Sequence, residues 1–326
     1  MKYLVTGVAG FIGSNVAKSL LETGHHVVGI DNMNDYYDVA LKKYRLTYFV
    51  GKSNFTFVEM NIADRHAVQE LFAFEQFDIV VHLAAQAGVR HSIKAPFDYV
   101  DSNLVGMLTI LEGCRHNNVQ HLVYASSSSV YGANQKIPFC ETDRVDEPVS
   151  LYAATKKSNE LMAYSYSSLY GIPSTALRFF TVYGPAGRPD MAPWLFTEAI
   201  LQGKPIKIFN HGNMIRDFTY IDDIVEGVIG VSNLVPSGGV PHALFNIGNN
   251  APVKLGYFIE VLESACGVAA IKEYTGMQDG DVPATYADIN ALKDAVGYQP
   301  KTNIEVGLGN FVNWYRNSWS TKIKNS

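Results

Sequence analysis

Charged side chains are scarce in this 326-residue chain: Asp, Glu, Lys and Arg make up 17%, against about a quarter in an ordinary soluble domain. Nor is one sign in large excess, since 26 Lys and Arg stand against 31 Asp and Glu, a formal net charge of −5. That mild acidity gives no global attraction to a nucleic-acid polymer or an anionic membrane, so an anionic ligand must be held by local charges. Cysteine is rarer still. Cys114, Cys140 and Cys266 are widely spaced and form no CxxC pair, which argues against a disulfide framework and a zinc site and for a reducing, cytoplasmic setting. No metal is expected. No apolar run is long enough to span a bilayer. The opening Met1-Lys2-Tyr3-Leu4-Val5 starts like a secretion signal, but Gly7, Gly10 and Gly13 break the apolar stretch such a signal needs. Internal repeats and low-complexity tracts are absent.

Apolar residues are plentiful at 47%, enough for a large core. Through the first half, short apolar runs alternate with helical patterns: Tyr3 to Val5, His26 to Ile30, Phe55 to Val58, Ile79 to Leu83 and His121 to Tyr124. Such runs predict strands of a parallel sheet covered on both faces. Ile12, Val16 and Leu20 recur at helical spacing between the first two. A longer helix is predicted from about Ser150 to Tyr170, ended by Gly171 and Pro173. After residue 180 the pattern loosens, and nine of the 13 prolines fall there. The expected architecture is α/β: a doubly wound (Rossmann) parallel sheet over 1–180, with a returning segment near 217–248. A smaller, mainly substrate-binding lobe over 181–326 would cap the open end of the sheet, where such folds bind ligands.

Three patterns carry chemistry. The first is Thr6-Gly7-Val8-Ala9-Gly10-Phe11-Ile12-Gly13, between the first strand and the first helix. Gly7 permits a tight turn, Gly10 a close approach of backbone to pyrophosphate, and Gly13 close helix–strand packing, with the helix N-terminus offering free N–H groups. Asp31 ends the second strand, where a carboxylate accepts from both adenosine ribose hydroxyls and repels a 2′-phosphate, favouring NAD over NADP. The second is Tyr152 with Lys156, at i, i+4 on one helix face. A phenol is a poor base at neutral pH; a nearby ammonium and a cationic nicotinamide would lower its pKa. The third is the run Ser126-Ser127-Ser128-Ser129 after a strand, whose hydroxyls suit an oxygen-rich substrate. Taken singly, a Tyr-x-x-x-Lys pair is common and a serine-rich turn ordinary.

Assembled, these motifs resemble the extended short-chain dehydrogenases/reductases over essentially the whole chain. The order GxxGxxG, Asp31, His82-Leu83-Ala84-Ala85, the serine run, Tyr-x-x-x-Lys and Arg216-Asp217-Phe218-Thr219-Tyr220 is similar to the nucleotide-sugar epimerase branch. Within it, the chain most resembles the UDP-glucuronate 4-epimerases, through Asp31 to Asp38, Leu151 to Lys157, Arg178 to Pro185, Gly187 to Met191 and Gly280 to Pro283. The resemblance implies bound NAD, a UDP-sugar substrate, and epimerisation through a 4-keto sugar that turns within the site. Tyr152 would take the 4-hydroxyl proton, Lys156 would hold the nicotinamide ribose and lower the tyrosine pKa, and Ser127 would bridge the 4-oxygen and Tyr152. Ser126 and Ser128 would assist. Phe11, Ile12, Asn32, Asn61, Ile62, Leu83, Ala84, Ala85 and Asn103 would complete the cofactor site, while Arg90, Thr181, Arg188, Arg216 and Asp281 would contact the substrate. Family members pair through helices matching Asp98 to Cys114 and Tyr152 to Tyr170, so a homodimer is expected.

Glucuronate brings a hazard, because oxidation at C4 makes a β-keto acid that readily loses CO2. Arg188 is the candidate clamp for the carboxylate, since guanidinium grips it in bidentate geometry. Thr181, where many relatives carry Asn, also points to the uronate branch. The pattern departs from the family in one place: Asn61, not Asp, precedes the adenine-contacting Ile62. Dehydratases and decarboxylating relatives carry acids where Ser128 and Ser129 stand, which disfavours both readings. UDP-glucose/UDP-galactose or UDP-N-acetylhexosamine 4-epimerisation is the runner-up reading. A non-catalytic NAD-binding sensor is more remote, because Tyr152, Lys156 and Ser127 are all intact.

Overall fold

The computed structural model describes residues 1–277 and 282–323. In its first half, strands and helices alternate: β1 (Lys2–Thr6), α1 (Phe11–Glu22), β2 (His26–Asp31), α2 (Val39–Leu46), β3 (Phe55–Glu59), α3 (Arg65–Glu75) and β4 (Ile79–His82). Short helices α4 (His91–Lys94) and α5 (Pro96–Tyr99) lead to α6 (Gly106–His116), β5 (His121–Ser127), α7 (Leu151–Tyr170) and β6 (Ser174–Phe179). Then come β7 (Thr181–Tyr183), α8 (Ala192–Leu201), β8 (Pro205–Ile208), β9 (Ile215–Tyr220), α9 (Ile221–Ser232) and β10 (His242–Ile247). The last elements are β11 (Pro252–Lys254), α10 (Leu255–Cys266), β12 (Ile271–Tyr274), α11 (Asn290–Val296) and α12 (Ile304–Trp314).

Seven strands pair in parallel in the order β10-β6-β5-β4-β1-β2-β3. Successive side chains on a strand point to opposite faces, and the core divides accordingly. Val5, Val27, Val81 and Val123 pack with Val16 and Leu20 of α1 and Ile224 and Val228 of α9. Their neighbours Leu4, Val28, Val80 and Leu122 pack on the other face with Phe72 of α3, Ile110 of α6 and Ala163 of α7. Continuous apolar runs are therefore what a doubly covered strand needs. Helix α7 starts where the Ser150 hydroxyl accepts from Ala153 N at 3.1 Å and stops at Gly171, whose φ of +66° favours glycine.

A second core, built around Trp194, Phe218, Phe258, Phe311, Tyr315 and Trp319, joins α8, α10 and α12 to a small sheet in the order β11-β9-β7. A parallel pair, β8 with β12, flanks it. This lobe stands against the carboxyl ends of the large sheet. Strand order reverses beside β1, which lies between β2 and β4, and a crevice opens at that switch point. Among the described residues, no helix is long and apolar enough to cross a membrane, and no group of His, Cys, Asp and Glu could hold a metal ion.

Candidate active site

The crevice is a cleft of about 670 Å³, lined from the sheet by the ends of β1, β2, β4 and β5 and from the second lobe by residues such as Arg188, Phe209 and Arg216. At its floor, Gly7 N and Val8 N donate to Ile30 O of the next strand at 2.7 and 3.1 Å. Gly7 has φ +70°, and a Cβ there would lie 2.8 Å from Ala84 N, so the turn and β4's end close up only on glycine. At Gly13 a Cβ would run into the Gly7 carbonyl, so α1 starts directly on the turn. Gly10, Phe11, Ile12 and Gly13 line the cleft. Among the described residues, nothing accepts from the amides of Phe11, Ile12 and Gly13. An uncapped helix start opening into a cleft suits a pyrophosphate.

Asp31 lies beside this turn, its carboxylate accepting from Ala9 N at 3.2 Å and Met33 N at 2.9 Å. Asn32, Ile62, Leu83, Ala84 and Ala85 also line the cleft. The β4 end is held through Thr6, whose hydroxyl accepts from Leu83 N and Ala84 N and meets His82 Nδ1 at 2.8 Å. With its oxygen accepting twice, the Thr6 proton goes to Nδ1. His82 stays neutral, since burial and the nearby Lys156 charge push its pKa down to about 3.

Tyr152 and Lys156 sit one turn apart on α7, facing the end of β5. The Lys156 ammonium is buried and donates to Ala125 O at 2.9 Å; burial pushes its pKa down to about 8. Burial raises the Tyr152 pKa above the ordinary phenol value, against a hydrogen bond with Ser127 and the charge of Arg188, which lower it. The groups that draw the phenol down are the Ser127 hydroxyl and the Arg188 charge. The ring of Tyr99 meets Tyr152 edge-on at 6.0 Å.

Ser127, Ser128 and Thr181 line the same cleft. So does Ser126, but it is 2% exposed and gives its proton to Glu160 at 2.6 Å, away from a ligand. Glu160 in turn accepts from Arg178 Nε and Nη2 at 2.8 and 2.9 Å, a buried bidentate pair linking α7 to β6. Arg188 reaches the cleft with its Nε and Nη2 on Asp190, at 3.0 and 2.5 Å. Burial opposes its charge, yet Asp190 holds its pKa above the usual guanidinium range. Arg90 lies over the Phe209 ring at 5.7 Å, and Arg216 Nη1 donates to Ile215 O and Pro283 O; both line the cleft.

Two expected site residues lie off the cleft. Asn61 is exposed and off the cleft; its Oδ1 accepts from Ala63 N at 3.0 Å, completing a turn, and its neighbours Met60 and Ile62 face inward instead. Asn103 is buried off the cleft, donating to Thr155 Oγ1 and Gln86 O and accepting from Gln86 N, so it pins the loop after β4 to α7. Asp281 lies outside the described residues. Three residues outside the expected site set also line the cleft: Lys42, Tyr36 and Asp190. Lys42 lines the cleft, 5% exposed and 3.5 Å from Asp31 Oδ1, with its ammonium on Asn34 Oδ1 at 2.8 Å. No spacing rule announces a lysine folded back on an aspartate eleven residues earlier.

Residues 3–248 match the model of the NAD dependent epimerase/dehydratase family. A Rhizobium meliloti (strain 1021) protein named "probable UDP-glucuronate 4-epimerase" is 48% identical over 97% of both chains. The UDP-glucuronic acid 4-epimerase of Bacillus cereus, solved with UDP-glucuronic acid and NAD, superposes with a TM-score of 0.90 at 34% identity, covering 97% of this chain and 99% of that one. UDP-glucose 4-epimerase of Thermotoga maritima, solved with UDP-glucose, gives 0.89 at 30% identity, covering 98% of this chain and all of that one (100%).

Proposed function

The chain belongs to the NAD dependent epimerase/dehydratase family, and we propose that within it the reaction is NAD-dependent 4-epimerisation of UDP-glucuronate to UDP-galacturonate. The observation that carries the substrate is Arg188, a cation in the same cleft as Tyr152 and close enough to lower its pKa. A neutral sugar has no use for a guanidinium beside its reacting carbon; a uronate does.

The residues fit NAD. Its pyrophosphate would lie on the amides of Phe11 to Gly13, its adenosine ribose between Asp31 and Lys42, its adenine against Ile62, and its nicotinamide ribose at Lys156. When bound, NAD supplies the acceptor for the C4 hydride and the donor for its return to the other face. Tyr152 takes the proton from the 4-hydroxyl and later gives it back, so no solvent base is needed. Ser127, which lines the cleft with Tyr152, would bridge the 4-oxygen and the phenol. Arg188 holds the C6 carboxylate, and Thr181 and Ser128 add hydrogen bonds. Arg90 and Arg216 face the diphosphate.

Two broader features belong to the same reading. Leu161, Tyr164 and Leu169 are exposed along one face of α7, with Leu108 exposed on α6, and such a stripe supports a homodimer pairing through these helices. Cys114, Cys140 and Cys266 are unpaired, which supports a cytoplasmic enzyme.

The test is incubation of purified protein with UDP-glucuronate or UDP-glucose, without added cofactor, followed by sugar NMR. Conversion of UDP-glucuronate is expected; conversion of UDP-glucose alone would refute the substrate. Tyr152→Phe should keep NAD and lose activity by about 10²-fold or more, and full activity in that variant would remove the proton-transfer role.

A further inference from the structure

Arg188 does not stand alone. Asp190, two residues on, accepts from its Nε at 3.0 Å and its Nη2 at 2.5 Å, occupying one complete edge of the guanidinium. Asp190 is held in turn by Tyr36, whose hydroxyl donates to Oδ2 at 3.0 Å. Tyr36 comes from the other lobe, in the loop between β2 and α2 that follows Asp31. Its hydroxyl sits where a Cβ on Gly88 would fall (2.6 Å), with Arg188 Nη2 nearby, so glycine at 88 makes room for the contact. Among the described residues, no hydrogen bond engages Nη1 of Arg188. The guanidinium is thus fixed on one side and open on the other.

We propose that Tyr36 and Asp190 are positioning residues: together they fix the plane of the Arg188 guanidinium so that its open edge binds the substrate's C6 carboxylate in an orientation that prevents loss of CO2. The proposal rests on the uronate reading above and deepens it. An arginine on a Gly/Pro loop has many rotamers, and a clamp that must hold C6 in one place relative to the ring needs its own position set first. A carboxylate does this with two parallel hydrogen bonds where one acceptor would leave a pivot.

The leak that this guards against balances as follows. With C4 oxidised, the C5–C6 bond breaks, its electron pair passes into the C4 carbonyl as an enolate, CO2 leaves, and C5 takes up a proton to give UDP-4-keto-pentose. Cleavage requires the breaking C5–C6 bond to lie along the carbonyl π system; a carboxylate gripped so that C6 stays equatorial on the ring keeps that bond near the carbonyl plane, where the overlap is lost.

Asp190 also bears on Tyr152 electrostatically, raising its pKa while Arg188 lowers it. The other groups facing this cluster are Tyr36 and Tyr99, with His91 against both rings at 4.7 and 6.0 Å, and Lys156 one turn along α7. Removing the Asp190 charge therefore makes Tyr152 easier to ionise, whereas removing the Tyr36 hydroxyl leaves that charge in place.

Asp190→Asn and Tyr36→Phe holoenzymes separate these effects. Both are expected to release UDP-4-keto-pentose and CO2 from UDP-glucuronate, detected by mass spectrometry, where the wild type releases none. Only Asp190→Asn should move the acid limb of kcat/KM to lower pH. In a Tyr152→Phe background, where no chemistry intervenes, calorimetry with UDP-glucuronate and UDP-glucose should show the preference for the acid falling about tenfold when Asp190→Asn is added. An unchanged preference with no decarboxylated product overturns the proposal. So does a rise in preference, which would make Asp190 a competitor for the guanidinium. Absence of UDP-glucuronate turnover in the wild type overturns instead the uronate reading, and the proposal with it.

Discussion

The Arg45 guanidinium donates twice to the Ala186 carbonyl, through Nε at 3.0 Å and Nη2 at 2.8 Å. The same fully buried group reaches Gly187 O, Ala9 O and the Tyr37 hydroxyl. One side chain on α2 thereby joins the glycine turn to the loop that carries Arg188. Arg45→Met would leave carbonyls unsatisfied where water cannot reach, at about 1–3 kcal/mol each. We expect it to lower stability by about 3 kcal/mol and to reduce the NAD retained on purification. Chemical denaturation and cofactor content check the two effects, and a wild-type midpoint would show that the clamp is dispensable.

Lys156 makes stability depend on pH. Its folded pKa of about 8 lies below its ordinary 10.5, so between these values the unfolded chain binds more protons and stability rises with pH. Below about pH 8 the buried ammonium costs its full penalty, up to about 3 kcal/mol. In cofactor-free protein, the stability difference between wild type and Lys156→Met should therefore shift in favour of the wild type as pH rises from 8 toward 10.5. A flat difference in denaturant midpoints across that window would mean that Lys156 is not desolvated.

Glu160 and Arg178 form the buried pair that receives the Ser126 proton. Burial works against the Glu160 charge, but Arg178 outweighs it and holds its pKa below the usual carboxylate value. The pair's contribution is therefore present above that usual value and lost as pH falls through the lowered one. Glu160→Gln strands a buried guanidinium and should cost about 3–5 kcal/mol, read as a drop in Tm. A drop within measurement error would show that water reaches Arg178.

The exposed stripe on α7 predicts a change of assembly. Leu161→Asp with Leu169→Asp should convert a dimer into a monomer in light scattering, because each places a charge where an apolar interface would close. Both side chains are solvent-exposed in the single chain, at 59% and 69%, so its fold should be unaffected. A wild-type monomer, or a dimer that survives both changes, would place the interface elsewhere or remove it.

Strands β1 to β5 and helices α1 and α7 were legible in the sequence because each follows a short-range period that burial enforces. The register of β10 on β6 depends on contacts across some seventy positions (His242 with Ser174), which no local pattern contains. Ser126 looked like its neighbours in a run of four; only the position of Glu160 beneath it turns its hydroxyl inward. Asn103 and Asn61 carry side chains suited to a ligand, yet one pins Gln86 and the other completes a turn. An amide's partner is whichever polar group the fold brings within 3 Å, and residue type does not choose among them.

From residue order alone came the doubly wound sheet, the glycine turn with Asp31, and the Tyr152 and Lys156 pair, since periodicity and fixed spacing are properties of the chain itself. What tertiary structure decided is who meets whom: Lys42 beside Asp31, Arg45 beneath the 186–187 loop, Tyr36 on Asp190 and Asp190 on Arg188. Tyr36 and Asp190 stand 154 positions apart, and their contact exists because the two lobes close on one cleft. Buried charges and hydroxyls must find partners wherever folding leaves them, and those partners set what the cleft can hold.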